Sequence, residues 1–429
     1  MYDLAIIGAG WAGFNASLKA KQLGLKVILV DKSLLGGTCL NLGCIPTKTL
    51  IQSAKIFNLA RQASEFGVNL SSPTADFLKI QERKDKIIRQ LQSGMQLMLK
   101  DIDYVTGQAR LVSNQEIRVS DKTIQARNIL IATGSKPYAL AQFKFDAKKI
   151  LSSNEIISLK LIPGSLLIIG GGVIGCEFAS LFAAFGTKVT LVEKMPQLLP
   201  GEDSEVAKKI ETIFKKRGIK VNTNTDAAAL NPGDFEIILV CVGRSPQTEG
   251  LGLEELGVKL DQGRISVDDY LNTNISNIYA AGDCTAKIML AHLAAYQGIS
   301  AACNIAHPDK REPATSPCVP SCIFTDPEIA SVGLSETKAN SQGQDIAIHR
   351  FDFLGSGMAR ILGKAEGFVK IISDNKSGVV LGAAIIGPGA TELIGVLTLA
   401  VARQLNIADL RKTIFAHPTL SESITEAIK

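Results

Sequence analysis

The sequence carries little surplus charge of either sign. Its 46 lysines and arginines against 41 aspartates and glutamates leave +5 in 429 residues. The denser basic runs, "RKDK" at 83–86 and "KKR" at 215–217, sit in helix-like stretches and read as solvated helix faces. Nothing in this pattern calls for nucleic acid. Aromatic residues are scarce at 5%, with one tryptophan, Trp11. Histidine is scarcer: His292, His307, His349 and His417 are the whole set. The start, "MYDLAIIGAG", lacks the basic stretch and long apolar core of a secretory signal. One apolar tract, residues 378–402, has the length to span a bilayer, but Gly387, Pro388, Gly389 and Glu392 interrupt it. It predicts a strand over 379–386, a Gly-Pro turn and a buried helix over 391–405. The expected setting is the cytosol with no membrane contact. Thiols stay reduced there, so the eight cysteines are not expected to be staples.

What is present points to a globular protein of about two to four domains. Two stretches repeat each other. "YDLAIIGAGWAGFNASLKAKQLGLKVILVD" runs from Tyr2 to Asp31, and "GSLLIIGGGVIGCEFASLFAAFGTKVTLVE" from Gly164 to Glu193. Each reads as an apolar strand, a G-x-G-x-x-G turn, a helix of small residues and a second strand ending in a carboxylate. The glycines are Gly8, Gly10 and Gly13, then Gly170, Gly172 and Gly175, with Val173 and Ile174 inside the second turn. The acid follows the first glycine by 23 residues both times. The first glycine makes the tight turn, the second admits a pyrophosphate, and the third packs helix on strand. The helix N-terminus faces the phosphates, and Asp31 or Glu193 takes a ribose hydroxyl. "ILIATGSKP" (129–137) and "ILVCVGRSP" (238–246) extend the likeness. Two dinucleotide units in series imply electron transfer between two dinucleotides, most simply nicotinamide and flavin. After Glu193, "KMPQLLP" offers no arginine for a 2′-phosphate, which favours NAD. From Pro313 the chain turns to β-branched strands. Residues 76–100 predict one amphipathic helix with Ile80, Ile87, Leu91, Met95 and Met98 on a face.

"GGTCLNLGCIPTK" follows the first unit and sets Cys39 and Cys44 five residues apart. A structural metal site wants four ligands, and the other pair, Cys318 and Cys322, is loosely spaced and far off, so no metal is expected. On a regular helix, residues five apart differ by about 7.5 Å of rise and roughly 140°. A disulfide normally allows about 4.4–6.8 Å between Cα atoms. The segment must be distorted for the pair to close. Gly43 permits that, and Pro46 withholds a hydrogen bond from Leu42. A strained short-loop disulfide is readily reduced, so the pair reads as a redox centre. Cys176, Cys241, Cys284, Cys303, Cys318 and Cys322 read as small buried apolar groups.

"GGTCLNLGCIPTK" resembles the active-site motif of the flavin-dependent disulfide oxidoreductases, most closely of their dihydrolipoamide-oxidising members. Agreement runs along nearly the whole chain: "ATG" at 132–134, "AAGD" at 280–283, "FTDPEIASVG" at 324–333, "EGFVKI" at 366–371 and "HPTLSE" at 417–422. The resemblance implies an α/β fold with two Rossmann-like domains, for FAD and NAD, and a C-terminal α+β dimerisation domain. The expected bounds are 1–146 with 264–312 for FAD, 147–263 for NAD, and 313–429 for the interface. It implies oxidation of dihydrolipoamide to lipoamide and reduction of NAD, by a homodimer. Its partner would be the lipoyl domain of a 2-oxoacid dehydrogenase or glycine cleavage complex. Cys44 would lie against the flavin, and Cys39 would exchange with substrate. His417 would be the acid–base residue, reaching a partner chain's cysteines, with Glu422 orienting it. On the residues alone, Glu422 equally fits a capping box with Thr419. Lys48 would sit near the flavin ring, paired with Glu177, and Asp283 on the ribityl chain. Lys32, Gly37, Thr38, Ala109, Ala132, Thr133, Gly134 and Ala291 would line FAD, and Gly243 NAD. His292 reads as scaffolding.

Four features depart from the family pattern. Asp31 replaces a glutamate, and Trp11 replaces a small residue or proline. Only 45 residues separate Glu193 from Ile238, so the NAD unit is expected to lack most of its β-meander. "AHLAAYQG" also lacks acids that many relatives carry. The alternatives are a glutathione- or mercuric-reductase-like enzyme, or a weakly catalytic flavoprotein scaffold. The absence of a cysteine pair at the chain's end argues against the mercuric type.

Overall fold

The first apolar run forms strand β1 (Tyr2–Ile7) in a computed structural model that describes residues 1–285, 288–314 and 318–429. The chain forms two compact units: Met1–Thr49, Leu78–Tyr138 and Gly243–Thr315 in one, Leu50–Phe77, Ala139–Val242 and Ser316–Lys429 in the other.

In the first unit, β1 leads through helix α1 (Trp11–Gln22) to strand β2 (Val27–Asp31). Along the chain, helices α2 (Gly37–Asn41), α3 (Cys44–Arg61, in the first unit as far as Thr49) and α4 (Phe77–Met98) follow, then strands β3 (Asp103–Thr106), β4 (Ala109–Ser113), β5 (Glu116–Val119) and β6 (Lys122–Ile131). β1 pairs in parallel with β2 and β6, β3 with β2, and Ile278–Ala280 with β6. All five residues of β2 are buried, as its unbroken apolar run requires of a strand covered on both faces. β4, β5 and the start of β6 make an antiparallel meander. The small residues of α1 have a packing purpose. A Cβ on Gly298 of the helix Ala291–Ala306 would sit 2.1 Å from Ala12 O, so these two helices meet backbone to backbone. Helix α4 matches its predicted span, but Leu91 and Met98 remain 43% and 59% exposed. Its buried mid-helix residue is Lys84, with Nζ 3.0 Å from Asp85.

The second unit contains a parallel sheet in the order Lys220–Asn222, Lys188–Val192, Ser165–Ile169, Ile237–Val240, Ile150–Leu151. The meander expected to be missing is missing. Between Asn222 and Ile237 the described chain makes only two 3₁₀ turns, Ala227–Ala229 and Pro232–Asp234. The first unit's meander takes the whole span from Ala109 to Ile131 and would not fit there.

This unit also holds an antiparallel sheet, ordered Ser321–Ile323, Glu328–Gly333, Val380–Gly387, Phe368–Asp374, Ile346–Asp352. The interrupted apolar tract becomes the strand Val380–Gly387 and the helix Ala390–Ala402. The helix stops short of residue 405, and Gln404 takes a left-handed φ of 52°. No described helix is long and apolar enough to cross a membrane.

Candidate active site: two glycine cradles and a cysteine pair

The two G-x-G-x-x-G turns are built alike. Gly8 and Gly170 adopt φ of 107° and 110°. A Cβ on Gly8 would lie 2.2 Å from Ala132 O, and one on Gly170 2.6 Å from Cys241 O. A Cβ on Gly13 would lie 1.8 Å from Gly8 O, and one on Gly175 1.9 Å from Gly170 O. Only glycine tolerates such approaches. Gly10 and Gly172 differ: they cap α1 and the helix Val173–Ala184, and a Cβ there would meet nothing, or only Gly37 Cα at 3.9 Å. What a side chain would fill there is open space over a 12-residue helix N-terminus, which suits a pyrophosphate. Both turns therefore fit a dinucleotide. Val173 is 39% exposed at the second helix start, and Ile174 is half-buried.

The carboxylates that end the second strands hold the turns themselves. Asp31 Oδ2 accepts the Ala9 N–H at 2.5 Å, and Glu193 Oε2 accepts the Gly171 N–H at 2.6 Å. Their other oxygens accept N–H groups from Ser33 at 2.7 Å and Met195 at 2.8 Å. The shorter aspartate therefore makes the same bridge as the glutamate. Each oxygen has two lone pairs, so a ribose hydroxyl can still be accommodated. Lys32 beside Asp31 is exposed.

The two "ATG/CVG" turns meet inside the first unit. Ser135–Pro137 pairs antiparallel with Arg244–Pro246. Ser135 Oγ donates to Asp283 Oδ2 at 2.6 Å, while Arg244 Nε donates to Ser135 Oγ at 2.7 Å. Burial lowers the Arg244 pKa, and Asp283 and Cys44 oppose it. Arg244 is a site residue that the sequence reading missed, although it stands opposite Ser135 in the repeat. Around this chain, Ala132 and Ala109 are buried, Thr133 is half-buried, and Gly134 takes φ 73° with nothing within 4 Å of a Cβ. Gly243 is as open, with φ 138°. Ala291 opens its helix half-buried, with His292 exposed beside it.

The distortion required between the cysteines is a break between helices. α2 ends at Asn41, Leu42 swings to φ −134°, and α3 starts at Cys44. A Cβ on Gly43 would come within 3.1 Å of Thr38 O, so a side chain there would crowd the close fold-back. Gly36 N–H donates to Ala9 O at 2.9 Å, which ties the segment to the first phosphate turn. Gly37 and Thr38 open α2, half-buried. Both cysteines are free thiols, and Cys39 is hydrogen-bonded to Cys44. That bond pushes the Cys39 thiol strongly up, followed by burial and the charge of Cys44. The Trp11 side chain and the charge of Lys48 act the other way. Cys44 starts α3, at the positive end of an 18-residue helix.

In the second unit, Glu177 is 2% exposed, and its Oε1 accepts the Phe324 N–H at 3.0 Å. His417 Nδ1 lies 2.8 Å from Glu422 Oε1, and Glu422 Oε2 accepts the Thr419 N–H at 2.8 Å. Glu422 therefore serves both readings of its motif. Thr419 is no side-chain cap: its hydroxyl donates to Ala416 O at 2.7 Å. The Thr419 N–H, then His417, hold the Glu422 carboxyl below its usual range. The histidine side chain is 82% exposed.

Two dinucleotide cradles and a hydrogen-bonded dithiol beside one of them define a disulfide-exchanging flavoprotein. The pyridine nucleotide-disulphide oxidoreductase family matches residues 2–298, and its dimerisation domain matches residues 319–428. The chain belongs to this family, whose dihydrolipoyl dehydrogenases use FAD and NAD. It is 38% identical to a dihydrolipoyl dehydrogenase of Zymomonas mobilis, over 100% of this chain and 97% of that protein. One from Bacillus subtilis is 37% identical over 99% and 97%. The Zymomonas alignment runs over 452 positions, more than the chain's 429 residues, so it opens gaps in this chain. Among solved structures, LpdA from Mycobacterium tuberculosis superposes with a TM-score of 0.91 at 28% identity, over 99% and 98%. An HOCl-induced flavoprotein disulfide reductase of Escherichia coli in complex with Cu(II) gives 0.89 at 30% identity, over 100% and 98%.

Proposed function

We propose that the chain is a dihydrolipoamide dehydrogenase, oxidising dihydrolipoamide with NAD as acceptor. The observation that carries this reading is the Cys39–Cys44 pair, hydrogen-bonded across a helix break and tied to the first phosphate turn. When bound, FAD and NAD supply two-electron hydride chemistry. Gly8, Gly10, Gly13 and Asp31 hold FAD, with Lys32, Gly37, Thr38, Lys48, Ala109, Ala132, Thr133, Gly134, Asp283 and Ala291. Gly170, Gly172, Val173, Ile174, Gly175, Glu193 and Gly243 hold NAD. Glu177 accepts the Phe324 N–H within the second unit. The domains are 1–146 with 264–312, 147–263, and 313–429.

A substrate thiolate attacks Sγ of Cys39 in the oxidised pair. The S–S bond breaks, and Cys44 leaves with the electron pair, favoured by the α3 N-terminus and the Arg244 charge. The second substrate thiol gives its proton to His417 of the partner subunit in a homodimer and attacks the first substrate sulfur, closing the lipoamide ring as the bond to Cys39 breaks and Cys39 Sγ keeps the electron pair. Glu422 keeps the imidazole oriented through Nδ1. The reaction balances: a dithiol becomes a disulfide while the enzyme's disulfide becomes a dithiol. The macromolecular partner is a lipoyl domain of a 2-oxoacid dehydrogenase or glycine cleavage complex in the cytoplasm.

The test is steady-state turnover on purified holoenzyme, lipoamide against glutathione disulfide. Lipoamide is expected to be strongly preferred; turnover of glutathione disulfide alone overturns the reading. Glu422→Gln should lower lipoamide turnover about tenfold while leaving flavin content intact.

A further inference from the structure

A helix of five residues has little stability of its own, yet α2 carries Cys39 at its centre. Asn41, its last residue, holds it from the side chain. Asn41 Nδ2 donates to Gly37 O at 2.8 Å and to Leu35 O at 3.0 Å, with Leu34 O at 3.4 Å. The amide thus reaches back over the whole helix and ties its end to the chain that enters it. Carbonyls surround this end of the side chain, which fixes it as the NH2 end and leaves the other end an acceptor. That acceptor is used: Gln92 Nε2 donates to Asn41 Oδ1 at 2.6 Å. Gln92 belongs to α4, a helix of 22 residues. One turn further along, Met95 packs against the apolar core that also holds Leu35, Leu99 and Ile102. Gln92 is therefore anchored, and it anchors Asn41. Directly after Asn41 the chain reverses, and a Cβ on Gly43 would lie 3.5 Å from Cys39 Cα. The two side chains brace the segment at the point where it folds back toward the second cysteine.

We propose that Asn41 and Gln92 are positioning residues for the cysteine pair, holding the open dithiol loop in the shape from which Cys39 and Cys44 close. The proposal rests on that pair being the redox centre. When the S–S bond forms, the two thiols lose two protons and two electrons. An external disulfide takes them up as its own S–S bond breaks, and becomes a dithiol. A slack loop would also have to give up its freedom at this step, whereas a braced loop has already done so. Thiols kept close and oriented act on each other at a high effective concentration. The brace therefore favours the closed pair and makes it harder to reduce.

Gln92→Met keeps the length of the side chain and deletes the donor. Native and variant holoenzymes are equilibrated without oxygen in mixtures of reduced and oxidised dithiothreitol, quenched in acid and alkylated. The mass of the peptide holding Cys39 and Cys44 gives the closed fraction. The equilibrium constant for closing should fall about fivefold in Gln92→Met, which raises the midpoint potential by about 20 mV, with flavin content unchanged. Asn41→Ala should lower it about tenfold or more. Adding Gln92→Met to Asn41→Ala should change nothing further, because Gln92 acts through Asn41. A midpoint unmoved in Gln92→Met, or moved the other way, overturns the proposal, and so does full additivity of the two changes. A native pair that never closes refutes the redox centre and the brace with it. Dithiothreitol exchange does not depend on lipoamide. A raised midpoint in a chain that fails to turn over lipoamide therefore sustains the brace and refutes the proposed substrate.

Discussion

Cys44→Ser is expected to lose lipoamide turnover by at least about a thousandfold while folding normally and keeping its flavin. Serine is close in volume, and Cys44 begins a helix that does not need a thiol to start. What is lost is the thiol proposed to take the electron pair when the Cys39 bond opens. The reduced variant should also lack the long-wavelength charge-transfer absorption, whereas Cys39→Ser should retain it. The check is a titration with NADH in a spectrophotometer, beside turnover. If the band persists in Cys44→Ser and vanishes in Cys39→Ser, the two thiols have exchanged roles.

The second large effect concerns stability. Lys370 is fully buried in the strand Phe368–Asp374. Its Nζ lies 3.0 Å from Asp203 Oδ2 and 2.7 Å from Glu205 Oε1, and it also pairs with Glu336. Burial alone would pull the ammonium pKa down; the hydrogen bonds it donates to Glu205, Glu336 and Asp203 more than reverse this. Lys370→Met would leave Asp203, 1% exposed, facing two other carboxylates. Glu205 and Glu336 are 39% and 37% exposed, so water relieves them. Asp203 has no such relief, and it also caps the helix Ser204–Lys216. The expected loss is about 3 kcal/mol, measured by urea unfolding of the holoenzyme at neutral pH. Adding Asp203→Asn should recover part of it, because the stranded charge is then gone.

How legible each feature was in the sequence depended on how local its cause is. The glycine turns follow from contacts within one strand–turn–helix unit, so spacing alone located Gly8, Gly13, Gly170 and Gly175. The shortened segment between Asn222 and Ile237 was a matter of counting. The cysteine pair showed its distortion through helix geometry, but not its form, since two short helices replaced one bent helix. Long-range partners were invisible. Nothing near "GFVKI" announces three acids around Lys370, though a lysine amid apolar strand residues was a signal. Arg244, Ser135 and Asp283 are joined only because two repeat ends form one ribbon. Leu91 and Met98 read as part of one apolar helix face and remain exposed, because periodicity reports a face without naming what covers it.

The carboxylates of Asp31 and Glu193 carry a kinetic consequence. Each already holds the middle N–H of its own glycine turn, so the loop is ordered before a ligand arrives. A nucleotide entering such a turn loses its own freedom but does not have to freeze the loop as well. Capture should then run close to the encounter rate, with affinity differences between the two cradles expressed in how long each nucleotide stays.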